Sequence, residues 1–206
     1  MVEEKKALRG TVIVMNPHNG EILAYAVYPT YDPNNYRAAT PEQIKNWTLT
    51  DVFPPGSTFK TITVSSAMDL GKINEHSTVL DTGKTKIGNW EIKNYDYDVH
   101  PYPGHITLGY LFEHSSNIGS INVARTMTPR EFYTLLKRFG FGSKTGIDLP
   151  GESSGLLPYW SNWDQGIHAT MSYGYGTSVT AMQMISAVSA LANNGVKVTP
   201  HVIKYS

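Results

Sequence analysis

The sequence predicts an α+β fold that opens with a β-hairpin and continues largely in helices. Residues 10–28 carry the hairpin signal. Thr11–Met15 form one strand, Asn16–Gly20 a turn containing Asn-Gly, and Glu21–Tyr28 the return strand. Residues 57–70 carry a helix signal: Ile62, Ala67, Met68 and Leu70 are apolar, and Gly71 is a good stop. Two later segments repeat it. Thr128-Pro129 starts a helix with Phe132, Leu135, Leu136 and Phe139 on one face, ending at Gly140. Thr180 with Gln183 is a capping-box pattern ahead of Met184, Ile185, Val188 and Leu191, and Asn193-Asn194-Gly195 closes that helix.

The remaining elements are weaker. Residues 29–56 are rich in Pro, Asn and Tyr and read as a loop. Residues 72–106 read as irregular with short strands, and their polar, aromatic stretch from Asn94 to His105 could line a groove or be a plain surface insert. Thr107 caps a short helix through Phe112, an apolar-periodic segment follows Asn117 to Met127, residues 140–168 read as a long loop, and Val196–Thr199 as the start of a strand. In the segment from Ser57, the β-branched Thr61, Thr63 and Val64 lower helix propensity, so burial must stabilise it, as in a central helix.

Bulk composition excludes several function classes. The 206 residues suit one domain, 1–206. Seventeen basic residues balance 17 acidic ones, so there is no electrostatic footprint for nucleic acid or an anionic membrane. No apolar run is long enough to span a bilayer, and Met1–Lys6 lacks the apolar core of a signal peptide. Cysteine is absent, which removes disulfides and thiolate metal sites. The seven histidines show no His-x-x-x-His or Glu-x-x-His spacing, so neither a metal nor another cofactor is expected.

Pro54-Pro55-Gly56-Ser57-Thr58-Phe59-Lys60 carries the chemistry. On a helix starting near Ser57, Ser57 and Lys60 share one face, one turn apart, and Ser57 sits at the positive end of the helix dipole. A lysine can take the serine proton while the helix N-terminus favours the anion that forms. Alone, Ser-x-x-Lys is also the pattern of an N-capping serine followed by an exposed lysine. A second motif, Ser115-Ser116-Asn117, offers a hydroxyl that can relay a proton and an amide that can hold Lys60 or a substrate carbonyl.

In that order, the two motifs resemble those of penicillin-binding proteins and serine β-lactamases. Arg9–Pro17, Gly20–Ala24, Pro55–Lys60, His114–Asn117, Phe139–Gly142, Thr145–Glu152, Gly155–Pro158, Ser172–Thr180 and Ala190–Gly195 are similar, collinearly, to the transpeptidase domain of class B penicillin-binding proteins. The resemblance implies the β-lactamase/D,D-peptidase-like fold, a helical lobe plus an antiparallel sheet. It implies Ser57 as nucleophile, Lys60 as general base, Ser115 as proton shuttle and Asn117 as the group that positions lysine and substrate. It further implies peptidoglycan stem peptides ending in D-Ala-D-Ala as substrates, β-lactams as acylating ligands, and an extracytoplasmic (periplasmic) location beneath a membrane anchor outside this chain.

The family's third motif, Lys-Thr-Gly, is expected on a strand facing the nucleophile. Lys144-Thr145-Gly146 has the letters but falls in a loop after a helix end, so it is read as non-catalytic. By the resemblance, the functional triplet lies after the region of Asn193-Asn194-Gly195. The chain is therefore expected to lack the C-terminal sheet strands, to be impaired alone, to expose a hairpin edge, and to be completed by another polypeptide or by self-association. A serine β-lactamase is the nearest alternative, but Glu152 is followed by Ser-Ser-Gly-Leu, which does not match the Glu-x-x-Leu-Asn element of class A enzymes, and Asn117 departs from the class D pattern. A non-catalytic β-lactam sensor domain is the other alternative.

Overall fold

A computed structural model describes residues 2–204. Met1, Tyr205 and Ser206 fall outside it, including the chain end to which the expectation of missing strands refers. The elements in chain order are β1 (Gly10–Met15), β2 (Ile22–Tyr28), α1 (Pro41–Ile44), α2 (Trp47–Thr50), α3 (Lys60–Asp69), β3 (Thr78–Asp81), β4 (Lys84–Ile87), β5 (Trp90–Lys93), β6 (Gly104–Thr107), α4 (Leu108–Glu113), α5 (Asn117–Ala124), α6 (Pro129–Phe139), α7 (Gln165–Met171) and α8 (Ala181–Ala192). The strands pair antiparallel as β1–β2, β3–β6 and β4–β5, which with the helices is the expected α+β class. Among the described residues no helix is long and apolar enough to cross a membrane.

The chain divides into two compact units. The first comprises the described residues up to Phe53, Phe139–Gly155 and those from Val179 on. Its hairpin runs from Gly10↔Tyr28 to Val14↔Ala24, then shifts register at Met15↔Ile22. Ile13 and Ile22 pack against a buried cluster of Leu49, Ile147 and Met182. The opposite face of the hairpin is exposed at Val12 (62%), Val14 (44%) and Leu23 (59%). The predicted capping box of α8 forms: Gln183 N donates to Thr180 Oγ1 at 3.1 Å and Thr180 N to Gln183 Oε1 at 2.9 Å. Gln183 Nε2 also donates to the carbonyls of Ser143 and Ser154, both at 2.8 Å, tying the long loop to the helix start.

Three expectations need correction here. Residues 29–56 are not purely loop. A 3₁₀ segment at Pro33–Ala38 precedes α1 and α2, and α1 has its own Thr40–Gln43 capping box. The predicted strand at Val196–Thr199 does not form; the chain makes only a single parallel bridge, Glu21↔His201. There the backbone passes so close that a Cβ on Gly20 (φ +86°) would lie 2.2 Å from Thr199 O, so only glycine fits. The loop predicted for residues 140–168 is broken by a 3₁₀ turn at Trp160–Asn162 and ends at α7, which starts at Gln165 on Asp164, whose carboxylate accepts from Ile167 N at 2.7 Å.

The second unit, Pro54–Arg138 with Leu156–Ser178, carries the helices around the two motifs. The helix predicted from Ser57 begins as a 3₁₀ turn, Gly56–Phe59, that runs straight into α3. Its Phe59, Ile62 and Ala67 are fully buried, which offsets the poor propensity of its β-branched run. Helix α5 packs against α3, β3, β5 and α7, and its Ile118 and Ile121 join a core of Ile87, Ala169 and Tyr173. Thr107 caps α4 as predicted, accepting from Tyr110 N at 3.1 Å.

Candidate active site

Both motifs lie in the second unit. Ser57 is exposed on the 3₁₀ turn that leads α3. The turn is fixed from below, where Gly56 N donates to Gly174 O at 3.2 Å. Gly174 has φ +84°, and a Cβ there would sit 2.3 Å from Gly56 O, so the approach admits no side chain. Thr63 Oγ1 adds a bond to Ser172 O at 2.8 Å. The N–H of Ser57 is among the unpaired donors of the first turn and makes no hydrogen bond within the described residues.

Lys60 is the opposite of an exposed surface lysine, with 1% of its surface accessible. Its ammonium has three N–H donors, and three acceptors are in place. Nζ donates to Ser115 Oγ at 2.9 Å, to Asn117 Oδ1 at 2.9 Å, and to the carbonyl of Ser115. Burial lowers its pKa to about 8, against the opposing field of Asp81. The neutral amine is thus present in on the order of a tenth of molecules at pH 7.

The acceptors are presented by the turn between α4 and α5. Ser115 has φ +49°, a left-handed conformation unusual for a side-chain-bearing residue, and this lets its hydroxyl and its own carbonyl reach the same amine. Ser116 caps α5, its Oγ accepting from Gly119 N at 2.7 Å. Asn117 opens α5, and its Nδ2 donates to Lys93 O at 2.9 Å, which fixes the amide with Oδ1 toward Lys60. The structure therefore brings Lys60, Ser115 and Asn117 into one hydrogen-bonded group. No hydrogen bond joins Ser57 Oγ to Lys60 among the described residues, because all three ammonium protons are directed to the turn.

Lys144-Thr145-Gly146 behaves as a structural loop. Thr145 N and Gly146 N donate to the buried carboxylate of Glu152 at 2.6 and 3.0 Å, and Thr145 Oγ1 does likewise. Its amides are taken up by an internal anion, as the non-catalytic reading expects. For metals, Asp96, His100 and His114 each place one ligand atom within 4.8 Å of the others. His100 is exposed, and His114 Nδ1 is bonded to Asp96 Oδ2 at 3.0 Å, which anchors the residue that precedes Ser115. Sequence reasoning missed Asp81 and Asn94. Both are buried beneath the Ser115–Asn117 turn, and neither stands in a motif.

Residues 10–206 match the family described as "Penicillin binding protein transpeptidase domain". The probable peptidoglycan D,D-transpeptidase PenA of Neisseria flavescens is 36% identical over 190 residues, covering 92% of this chain and 46% of that protein. The peptidoglycan D,D-transpeptidase FtsI of Escherichia coli K12 is 37% identical over 191 residues, covering 93% of this chain and 32% of that protein. A crystal structure of penicillin-binding protein 3 from Mycobacterium tuberculosis, complexed with aztreonam, matches with a TM-score of 0.88 and 29% identity over 98% of this chain and 45% of its own. A helical and antiparallel scaffold carrying a buried lysine between two serine motifs is that of a penicillin-binding transpeptidase. The chain belongs to this family, as a stretch of the transpeptidase domain of a class B penicillin-binding protein, and not to the β-lactamases weighed above. It spans less than half the length of these relatives.

Proposed function

We propose that this chain carries the acylation centre of a peptidoglycan D,D-transpeptidase. The observation that supports this most is Lys60, buried, with its pKa drawn down to about 8 and its amine held by Ser115 and Asn117 one turn from the exposed Ser57. Ser57 Oγ attacks the carbonyl carbon of the penultimate D-Ala of a stem peptide, and its proton passes to neutral Lys60. The tetrahedral oxyanion takes the free N–H of Ser57 as one donor. The peptide C–N bond then breaks, and Ser115 relays the proton from Lys60 to the departing D-Ala amine. An amine from a second stem peptide attacks the ester, releases Ser57 and forms the cross-link. Asn117 holds the lysine and receives the substrate amide.

β-Lactams would acylate Ser57 by the same route. We read the loop at 144–146, whose Thr145 and Gly146 amides are taken up by Glu152, as the source of neither the cation for the substrate carboxylate nor the second oxyanion donor. Both must be supplied elsewhere in the working enzyme, and the loss of one oxyanion donor typically costs roughly 2.7–4 kcal/mol of transition-state stabilisation. The site of action is the extracytoplasmic face of the cytoplasmic membrane, where stem peptides are cross-linked.

The test is labelling with a fluorescent penicillin and mapping of the adduct by mass spectrometry, in this chain and in the full-length protein. A mass increment on the peptide containing Ser57, absent from Ser57→Ala, is expected in both. An adduct that survives Ser57→Ala would refute the assignment. Multiple turnovers of a chromogenic cephalosporin would mean a hydrolase instead.

A further inference from the structure

Beneath the turn that presents Ser115 and Asn117 lies an ionisable group the reaction does not use directly. Asp81, at the end of β3, is 0% exposed. A buried carboxylate accepts hydrogen bonds and donates none. Its Oδ1 accepts from Gly83 N at 2.7 Å and from Asn94 Nδ2 at 3.0 Å. Its Oδ2 accepts from Asn94 Nδ2 at 2.8 Å and from Ser116 Oγ at 2.5 Å. Every donor that reaches it is thereby oriented. The NH₂ of Asn94 points at Asp81, so its Oδ1 points the other way, where it accepts from Asn117 N at 2.9 Å and Ile118 N at 3.1 Å. The hydroxyl proton of Ser116 points at Asp81, so its lone pairs face Gly119 N at 2.7 Å.

The first three N–H groups of α5 are therefore all satisfied through partners that Asp81 orients. These are the amides any helix leaves without intrahelical acceptors. Asn117, which holds the amine of Lys60, is the first of them. We propose that Asp81 is the positioning residue of the acylation site: acting through Asn94 and Ser116, it sets the polarity of the hydrogen-bond network that aims Asn117 and Ser115 at Lys60. Its negative charge also acts on Lys60 itself, opposing the effect of burial. Moving the carboxylate from position 81 to position 94, and the amide the other way, keeps every donor paired, with the Ser116 hydroxyl turning from position 81 to position 94, whose Oδ1 it already faces at 3.4 Å. The carboxylate now at position 94 would accept from Asn117 N, Ile118 N and Ser116 Oγ. The amide now at position 81 would accept from Gly83 N and donate to that carboxylate. Hydrogen-bond polarity thus predicts that the exchange of the two residues is tolerated where either change alone is not.

The catalytic part of this inference rests on the reading of Ser57 and Lys60 given above, so the experiment has two readouts. Hydrogen exchange at the amides of Asn117, Ile118 and Gly119 reports positioning whether or not the protein reacts. The second-order rate of Ser57 labelling by a fluorescent penicillin, measured from pH 6 to 10 in the full-length protein, reports the reaction. Asp81→Asn is expected to speed exchange at these three amides and to slow labelling, each at least tenfold, and to lower the pH at which labelling is half-maximal. Asn94→Asp, which sets two carboxylates together, is expected to do at least as much damage. The double variant Asp81→Asn/Asn94→Asp is expected to return exchange and rate to within about threefold of wild type. If Asp81→Asn does not fold, recovery of a folded, reactive protein in the double variant supports the proposal, and its failure overturns it. Wild-type exchange and labelling in Asp81→Asn, or faster exchange with an unchanged rate, would also overturn it. A wild-type protein that penicillin does not label at all would remove the proposed function and leave the exchange result to decide the positioning.

Discussion

The candidate active site of one unit and the hairpin of the other dispose their polar and apolar groups in opposite ways. In the unit that holds the motifs, a carboxylate, an amide, two serines, an asparagine and a lysine are buried or half-buried, and each finds a partner. In the unit that holds the hairpin, Gln183 and Glu152 also pair the loop's polar groups, but Val12, Val14 and Leu23 lie bare on one sheet face. A paired and oriented polar network is internally complete. An apolar face open to water is not, because its stabilisation comes only with burial. The contrast teaches that one stretch of chain can bring a lysine and its acceptors together in full while the outer face of its hairpin still lacks a cover.

That contrast can be broken in several ways. The largest effect is expected at Lys60. Lys60→Met keeps the apolar stem and removes the amine, and Ser57 acylation should fall by roughly 10²–10⁴, the usual share of a general base. A loss below tenfold would mean that another base serves Ser57. Next comes pH. Lys60 must be neutral to accept a proton, so the acylation rate should rise about tenfold per pH unit below its pKa of about 8 and level off above it. The same depressed pKa makes the native state bind fewer protons than the unfolded chain between about 8 and the ordinary lysine value, so stability gains as pH rises across that window. A pH–rate profile that is flat from 6 to 9 would contradict the first, and unfolding free energies that do not rise between about pH 8 and 10 would contradict the second.

A smaller effect is expected in the other unit. Glu152→Gln removes a charged acceptor from Thr145 and Gly146 and should destabilise the protein by roughly 1.5–3 kcal/mol in urea unfolding, with the same slope against denaturant. No change would show that the 144–146 loop is held by something else. The smallest effect on stability belongs to the bare face. Val12→Thr with Val14→Thr should alter unfolding free energy by less than about 0.5 kcal/mol per site, yet reduce binding of a hydrophobic dye and concentration-dependent association seen by sedimentation. Unchanged association would mean that the hairpin face is not where copies or partners meet.

Much of the fold was legible because its signals are local. Thr180 with Gln183, Thr107, Thr128-Pro129 and Gly71 each act within a few residues, and each marks a boundary found in the structure. The failures have local causes too. Residues 33–50 are one-turn helices whose Pro and Asn content looks like loop, although the Thr40–Gln43 box was there to be read. Helix α7 hid behind a lone Asp164 cap with no acid or amide partner three residues on. Val196–Thr199 has strand composition, but a strand exists only against a partner, and the one bridge nearby, Glu21↔His201, lies beyond this segment. At the site, Ser57, Lys60, Ser115 and Asn117 were visible through their spacing. Asp81 and Asn94 were not, because a buried acceptor and the amide it orients declare themselves only when residues far apart in sequence are brought together.

The saturated amine of Lys60 has a consequence for motion. An ammonium offers three protons and the turn takes all three. A neutral amine offers two, and its lone pair must face an incoming proton. Each time Lys60 becomes competent to act, one of its bonds to Ser115 or Asn117 has to be given up. Readiness and rigidity therefore exclude one another at this turn: it is tightest in the resting protein and loosest at the moment of attack, and a compound that favours the charged lysine would inhibit by stiffening the site without ever touching Ser57.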